Sequence, residues 1–118
     1  MSARKDDSQK PRLDLLPSSA LLEIAKVLDH GATKYGENNW RAGLKWSRLL
    51  GACLRHVFAF LGGQNQDPET GLNHLAHACC CLLFLLDYQI SHPEMDDRYI
   101  QGPKIGGVVI TGSPTLPF

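Results

Sequence analysis

From Leu75 to Leu86 the chain reads L-A-H-A-C-C-C-L-L-F-L-L, with one imidazole and no Asp, Glu, Lys or Arg. A helix this apolar on all sides leaves no face for water, so neighbouring helices or a second subunit must cover it. The expected fold class is all-α: a small helical bundle around a central helix from about Leu72 to Ser91, stopped by Pro93. The strictly apolar part, Ala78 to Leu86, is far short of the ~20 residues that cross a bilayer, so no membrane association is expected.

Two further helices are legible. Pro17-Ser18-Ser19 reads as a helix start, with Ser18 or Ser19 as N-cap and Glu23 in the early turns. Its apolar stripe (Leu21, Ile24, Val27, Leu28) continues to about His30, and Gly31 reads as the C-terminal stop. The next helix is expected over Trp46–Leu61, ended by Gly62-Gly63, with Leu49, Cys53, Leu54, Val57, Phe58 and Leu61 on its buried side. Between these two lies a segment from Ala32 to Gly43, dense in Gly, Asn, aromatic and basic residues. It reads either as a recognition loop or as a connector with Trp40 plugged into the core. The loop from Gln64 to Gly71 is turn chemistry throughout. Past Glu94 the chain changes to glycine, proline and a β-branched run, Val108-Val109-Ile110. Residues 1–93 therefore read as one helical domain, with 1–10 mobile, and 94–118 as an irregular Gly/Pro-rich C-terminal extension or arm.

Charge narrows the class of partner. Twelve basic and twelve acidic residues give zero formal net charge over 118 residues, which argues against nucleic-acid binding through bulk electrostatics. A local phosphate pocket remains compatible with it. Three of the four cysteines are consecutive, Cys79 to Cys81, and no C-x-x-C pair occurs. Neither a disulfide framework nor a cysteine zinc site fits that spacing, and a reducing compartment does. The N-terminal M-S-A-R-K-D-D-S-Q-K is too charged for a signal peptide. The expected location is the cytoplasm, that of the host cell if the protein is phage-encoded.

The chemistry-bearing residues gather around the central helix. His74 and His77 are three apart and project from one side of it. His56 lies on the preceding helix, and the short connection makes the two helices antiparallel neighbours. Asp67 and Glu69 occupy the turn between them. Such a mix of carboxylate and imidazole suits Mn²⁺, Mg²⁺ or Zn²⁺. Taken one at a time, each has a plainer use: Asp67 as a turn former, Glu69 or Thr70 as a helix cap, and each His as a hydrogen-bonded core residue. Together on two otherwise apolar helices they cost free energy unless something satisfies them. Phosphate-loop, dinucleotide and serine-hydrolase motifs are absent, and the cysteines look buried and inert.

Four motifs stand in a characteristic order: R-L-D-L-L-P (Arg12 to Pro17), G-A-T-K-Y-G-E-N-N-W (Gly31 to Trp40), L-R-H (Leu54 to His56) and D-P-E-T-G-L-N-H-L-A-H (Asp67 to His77). Over about residues 10–90 they resemble the phage dATP/dGTP diphosphohydrolases, related to the MazG-like all-α NTP pyrophosphohydrolases. The resemblance implies cleavage of a purine deoxynucleoside triphosphate between the α and β phosphates, giving monophosphate and pyrophosphate. It also implies divalent Mg²⁺ or Mn²⁺ and a homodimer or homotetramer. In phages that replace adenine by 2-aminoadenine such enzymes supply dGMP, which favours dGTP over dATP or GTP. On this reading Glu69, His77 and His56 are catalytic, and Asp67, Glu69, His74, His77 and Glu23 serve the metal. Arg12, Lys34, Arg55 and Lys10 take the phosphates, Tyr35 and Trp40 stack on the purine, and Asn39 reads its edge. The wider MazG pattern of E-x-x-E followed by E-x-x-D is missing, and His56, His74 and His77 fall where its acids would stand. The alternatives are a dNTP triphosphohydrolase and a non-catalytic helical module that binds nucleotide or protein.

Overall fold

The structure, a computed structural model, describes residues 2–100 and the backbone of two short strands beyond them. Three helices carry the fold: α1 (Ser18–Tyr35), α2 (Trp46–Leu61) and α3 (His74–Ser91). Single 3-10 turns at Leu13–Leu15, Asn39–Ala42 and Pro93–Met95 punctuate the connections. Beyond them Lys104–Ile105 pairs antiparallel with Val108–Val109, and the rest of the tail, Ile110 included, lies outside the described residues.

The central helix is central in fact. α3 packs on both α1 and α2, and Phe84 joins the two buried clusters. One is Trp46, Leu49, Leu85 and Tyr88; the other is Val27, Ala76 and Cys80. The whole of α3, at 18 residues, is long and apolar enough to cross a membrane, more than the run Ala78 to Leu86 suggests, and a third of it is buried against its neighbours. Tyr88 is fully buried and donates its hydroxyl hydrogen to the Trp40 carbonyl. Trp40 itself stacks on Phe84 at 4.4 Å between ring centres. Trp40 is therefore a half-buried plug that ties the α1–α2 connection to α3.

Several boundaries depart from expectation for identifiable reasons. α1 runs through Gly31 to Tyr35 and stops at Gly36, whose φ of 97° only glycine adopts without strain. His30 is thus mid-helix and not at a C-terminus. Neither Ser18 nor Ser19 caps α1; Pro17 holds the N-cap position without a side-chain bond. α3 begins at His74 because the Asn73 side chain accepts the Leu75 N–H at 2.8 Å. α2 keeps its expected bounds, but its N-terminus is capped from far away. Asp97 accepts from the Ser47 N–H at 2.8 Å and from its hydroxyl, and these bonds lower the Asp97 pKa. Arg98 lies over the Trp46 ring at 5.0 Å and Met95 packs on the core. Residues 94–98 thus fold back onto the bundle, past the boundary expected at 93.

The apolar face of α2 is less covered than its pattern suggested. Trp46, Leu49 and Cys53 are buried, whereas Leu54, Val57, Phe58 and Leu61 are exposed. α3 carries a matching exposed stripe of Leu75, Cys79, Leu82, Leu86 and Ile90. Cys79 is thus exposed, contrary to expectation. Cys53 and Cys80 are buried as expected and Cys81 is half-buried, desolvation pushing the Cys80 thiol up to about 12 and Cys81 up to about 11.

Candidate functional site

The loop between α2 and α3 is a backbone-locked clasp. The Asp67 N–H donates to the Leu72 carbonyl at 2.8 Å, and the Gly71 N–H to the Asp67 carbonyl at 2.7 Å. Gly71 has a φ of 73° to close that turn. The His74 N–H reaches back to the Asn65 carbonyl at 2.9 Å, and Gln66 bridges Asn73 in antiparallel fashion. The clasp holds the Asp67 carboxylate against the first turns of α3. Its Oδ1 accepts the Glu69 N–H at 3.1 Å, which is an Asx turn. Its Oδ2 faces the Thr70 hydroxyl at 3.4 Å and His77 Nε2 at 3.7 Å. Thr70 Oγ1 stands 2.8 Å from the same His77 nitrogen, tying carboxylate and imidazole together.

From α2, His56 stacks flat against His77, with 4.5 Å between ring centres and 6° between planes. Ligand-type atoms of His56, Asp67 and His77 all lie within 4.8 Å of one another. Behind them His74, only 4% exposed, is the one buried polar side chain among the described residues. Its Nδ1 faces His56 Nδ1 at 2.8 Å and its Nε2 faces Gln64 Oε1 at 2.7 Å.

Electrostatics keep the two facing imidazoles neutral. Burial lowers the His56 pKa first, and repulsion from His77 adds to it. Burial likewise lowers the His77 pKa, overriding the opposing pull of Asp67, while His74 and His30 push the same way as burial. Neutral imidazole and ionised carboxylate are the forms that bind a divalent ion. By donor chemistry the set suits such an ion, two imidazoles and a carboxylate in a half-buried place, and His77 must turn out of its flat stack on His56 for both lone pairs to meet one ion. Its two nitrogen donors suit Mn²⁺ or Zn²⁺ better than Mg²⁺, which prefers oxygen.

The remaining expected site residues are more scattered. Glu69 is exposed, with Oε1 at 3.8 Å from Lys34 Nζ, so α1 reaches the clasp there. Lys34 holds its proton more firmly, first through Tyr35 and then through Glu69. Arg55 lies exposed on α2 beside His56 and adds to the repulsion of a proton there. Glu23 pairs with Lys26 at 2.7 Å, away from the cluster's contacts. Arg12 pairs with Asp14, and with Lys10 it lines a separate depression formed by the N-terminal arm. Tyr35, Asn39 and Trp40 come together in a cavity of about 650 Å³, completed by Val27, Arg48 and Phe84. Cys80, also on its wall, is three residues past His77 and so on the same side of α3. The cavity therefore opens one helical turn from the imidazole–carboxylate cluster.

Three contributors were not anticipated. Thr70 and Gln64 each bond an imidazole, and His30 from α1 bears on His77. Polar residues in an otherwise turn-forming loop were the available signal for the first two. His30 had none, because its place depended on α1 continuing past Gly31.

An all-α bundle that sets two imidazoles and a carboxylate beside an aromatic-walled cavity is the class this geometry defines. The family profile described as dATP/dGTP diphosphohydrolase, N-terminal, matches residues 1–98. The chain belongs to that family. It is 42% identical over 98 residues to a dATP/dGTP diphosphohydrolase of Salmonella phage PMBT28. That alignment covers 83% of this chain and 33% of the relative, so the chain spans about a third of that relative's length. No solved structure matches it.

Proposed function

We propose that this chain hydrolyses purine deoxynucleoside triphosphates to monophosphate and pyrophosphate at the His56–Asp67–His77 cluster. The observation that carries the reading is the cavity one turn along α3 from that cluster. On this reading the nucleoside occupies the cavity and its phosphates reach toward the cluster. The purine slides beside Trp40 and Tyr35, the cavity's aromatic residues toward the α1–α2 connection. Asn39 offers an amide to the base edge. Asp29, exposed on the same wall, would accept from the N1–H and amino group of guanine, a pair of donors that adenine does not present. This supports dGTP over dATP, with dGMP then available for 2-aminoadenine nucleotide synthesis in a phage.

Asp67, His56 and His77 would hold a divalent ion, Mn²⁺ or Mg²⁺. Bound there, it would neutralise phosphate charge and make coordinated water more acidic. Lys34 steadies the phosphates from α1, with Arg55 as a second cation. Glu69 keeps its carboxylate in solvent beside Lys34 and takes a proton from the attacking water. The water oxygen bonds to the α phosphorus, the bond from that phosphorus to the bridging oxygen breaks, and pyrophosphate leaves. Phosphoryl transfer of this kind depends on positioning and charge neutralisation, without a covalent intermediate.

The reading includes a cytoplasmic homodimer or homotetramer. Its support is the pair of exposed apolar stripes, where Phe58 is 64%, Leu86 64% and Ile90 89% exposed. The experiment is a panel of dNTPs and NTPs with Mn²⁺ or Mg²⁺, products resolved by chromatography. Monophosphate and pyrophosphate from dGTP are expected. Tripolyphosphate release would convert the reading to a triphosphohydrolase. Nucleotide binding without turnover under either metal would convert it to a binding module.

A further inference from the structure

His74 has no obvious reason to be polar. It sits in the first turn of the core helix, almost wholly buried, where an apolar residue would cost no desolvation. Both of its ring nitrogens are nonetheless committed, to Gln64 Oε1 at 2.7 Å and to His56 Nδ1 at 2.8 Å. With the Gln64 amide oxygen facing the ring, as it stands in the structure, and with uncharged imidazoles, the protons along that line can be placed. An amide oxygen only accepts, so His74 Nε2 carries the hydrogen. A neutral imidazole has one N–H, so His74 Nδ1 is an acceptor. His56 Nδ1 must then donate to it, leaving Nε2 as the nitrogen of His56 with a free lone pair.

We propose that Gln64 and His74 are positioning residues, a two-step relay that fixes the tautomer and ring orientation of His56 so that Nε2 is presented to a divalent cation held with Asp67 and His77. The inference rests on the metal reading of the cluster given above. Metal-bound imidazoles ordinarily donate their other N–H to a carboxylate or carbonyl. Here a buried imidazole takes that part, and an amide oxygen on the clasp anchors it. The backbone bond from the His74 N–H to the Asn65 carbonyl at 2.9 Å holds the Gln64 stretch and the start of α3 in register. The relay therefore has a rigid frame at both ends.

Two measurements on the full chain test this. Long-range ¹H–¹⁵N correlation spectra of histidine-labelled protein, metal-free at pH 7.5, should give the Nε2–H tautomer for His74 and Nδ1–H for His56. This readout needs no variant. Calorimetric titration with Mn²⁺ should show Gln64→Met, which keeps the length and loses the acceptor, weakened by about ten- to a hundredfold. Gln64→Glu, which restores an acceptor, should bind like wild type, and circular dichroism should be the same for all three. Tight Mn²⁺ binding with His56 in the Nε2–H form, or with Gln64→Met unaffected, would overturn the relay and leave the metal reading standing. Wild-type protein that binds no Mn²⁺ would overturn both.

Discussion

Acid should destabilise this fold through two particular imidazoles, and the size of the effect follows from their number. His56 and His77 are both held below the ordinary histidine value of 6.5, burial being the first cause in each case. Below pH 6.5 the unfolded chain takes up protons that the folded chain refuses, so stability is greatest above that pH and falls as the pH drops. From pH 7.5 to 5.5, an imidazole that stays neutral when folded forgoes about 1.4 kcal/mol, and two give a ceiling of about 2.7 kcal/mol. Partial solvent access brings the expected loss to about 1–2 kcal/mol. With a urea slope near ~2 kcal/mol/M, the unfolding midpoint should fall by about 0.5–1 M across that window. The carboxylates with lowered values, Asp14, Glu94, Asp96 and Asp97, titrate below it. His92 acts in the opposite sense. Its pKa is raised, first by Glu94, so its contribution is complete below 6.5 and lost as the pH rises through its folded value. Comparing wild type with the H56N/H77N double variant in chelator cancels the His92 contribution. The double variant should lose most of the slope. An equal slope in both proteins would refute the assignment of this pH dependence to the cluster.

Tyr88→Phe should cost only about 1 kcal/mol by urea denaturation, because the Trp40 carbonyl also accepts the Gly43 N–H at 3.1 Å and is not left orphaned. Gly43→Ala should cost more, about 2 kcal/mol or above, since φ is 100° there and a Cβ would sit 3.0 Å from His92 Nδ1. Asp67→Asn should keep the Asx turn and the helical circular dichroism signal, while dGTP turnover falls by at least about a hundredfold through lost metal charge stabilisation.

Much of this architecture is legible in the chain, and the exceptions share a cause. Apolar spacing places α2 to the residue and identifies α3 as the core. The short α2–α3 connection correctly makes His56 and His74 neighbours. What spacing does not carry is choice between near-equal local options. Gly31 costs an exposed helix about 1 kcal/mol and reads as a stop, yet two residues on the Thr33 hydroxyl donates to the Asp29 carbonyl and the helix continues to Tyr35. Long-range caps are invisible for a different reason. Ser47 and Asp97 are fifty residues apart, and only the folded chain brings them together. The cavity is half legible: Tyr35, Asn39 and Trp40 come from one motif, whereas Asp29 and Arg48 belong to helices whose facing depends on the packing of α1. The exposed stripe on α2 carries the same pattern as a core face, because apolar periodicity does not distinguish burial within a subunit from burial between subunits.

The preponderance of imidazole over carboxylate in the cluster has a physical logic. Four carboxylates crowded into a half-buried space repel one another and pay heavily for desolvation unless cations are always present. Here Asp67 is the one carboxylate in the triad, and the two imidazoles facing it are disfavoured from charging. Such a site can exist without metal at modest cost, because each of the two imidazoles finds a hydrogen-bond partner: His56 in His74, and His77 in the Thr70 hydroxyl. The cost appears in metal choice. With fewer anionic oxygens such a cluster would attract Mg²⁺ weakly, and its nitrogens would favour ions further along the transition series. If the chain is a hydrolase, its activity should therefore rise more steeply with Mn²⁺ than with Mg²⁺. His56→Asp and His77→Asp should shift that preference toward Mg²⁺ while lowering stability in chelator. An unchanged metal ratio in both variants would mean that these two side chains do not contact the ion.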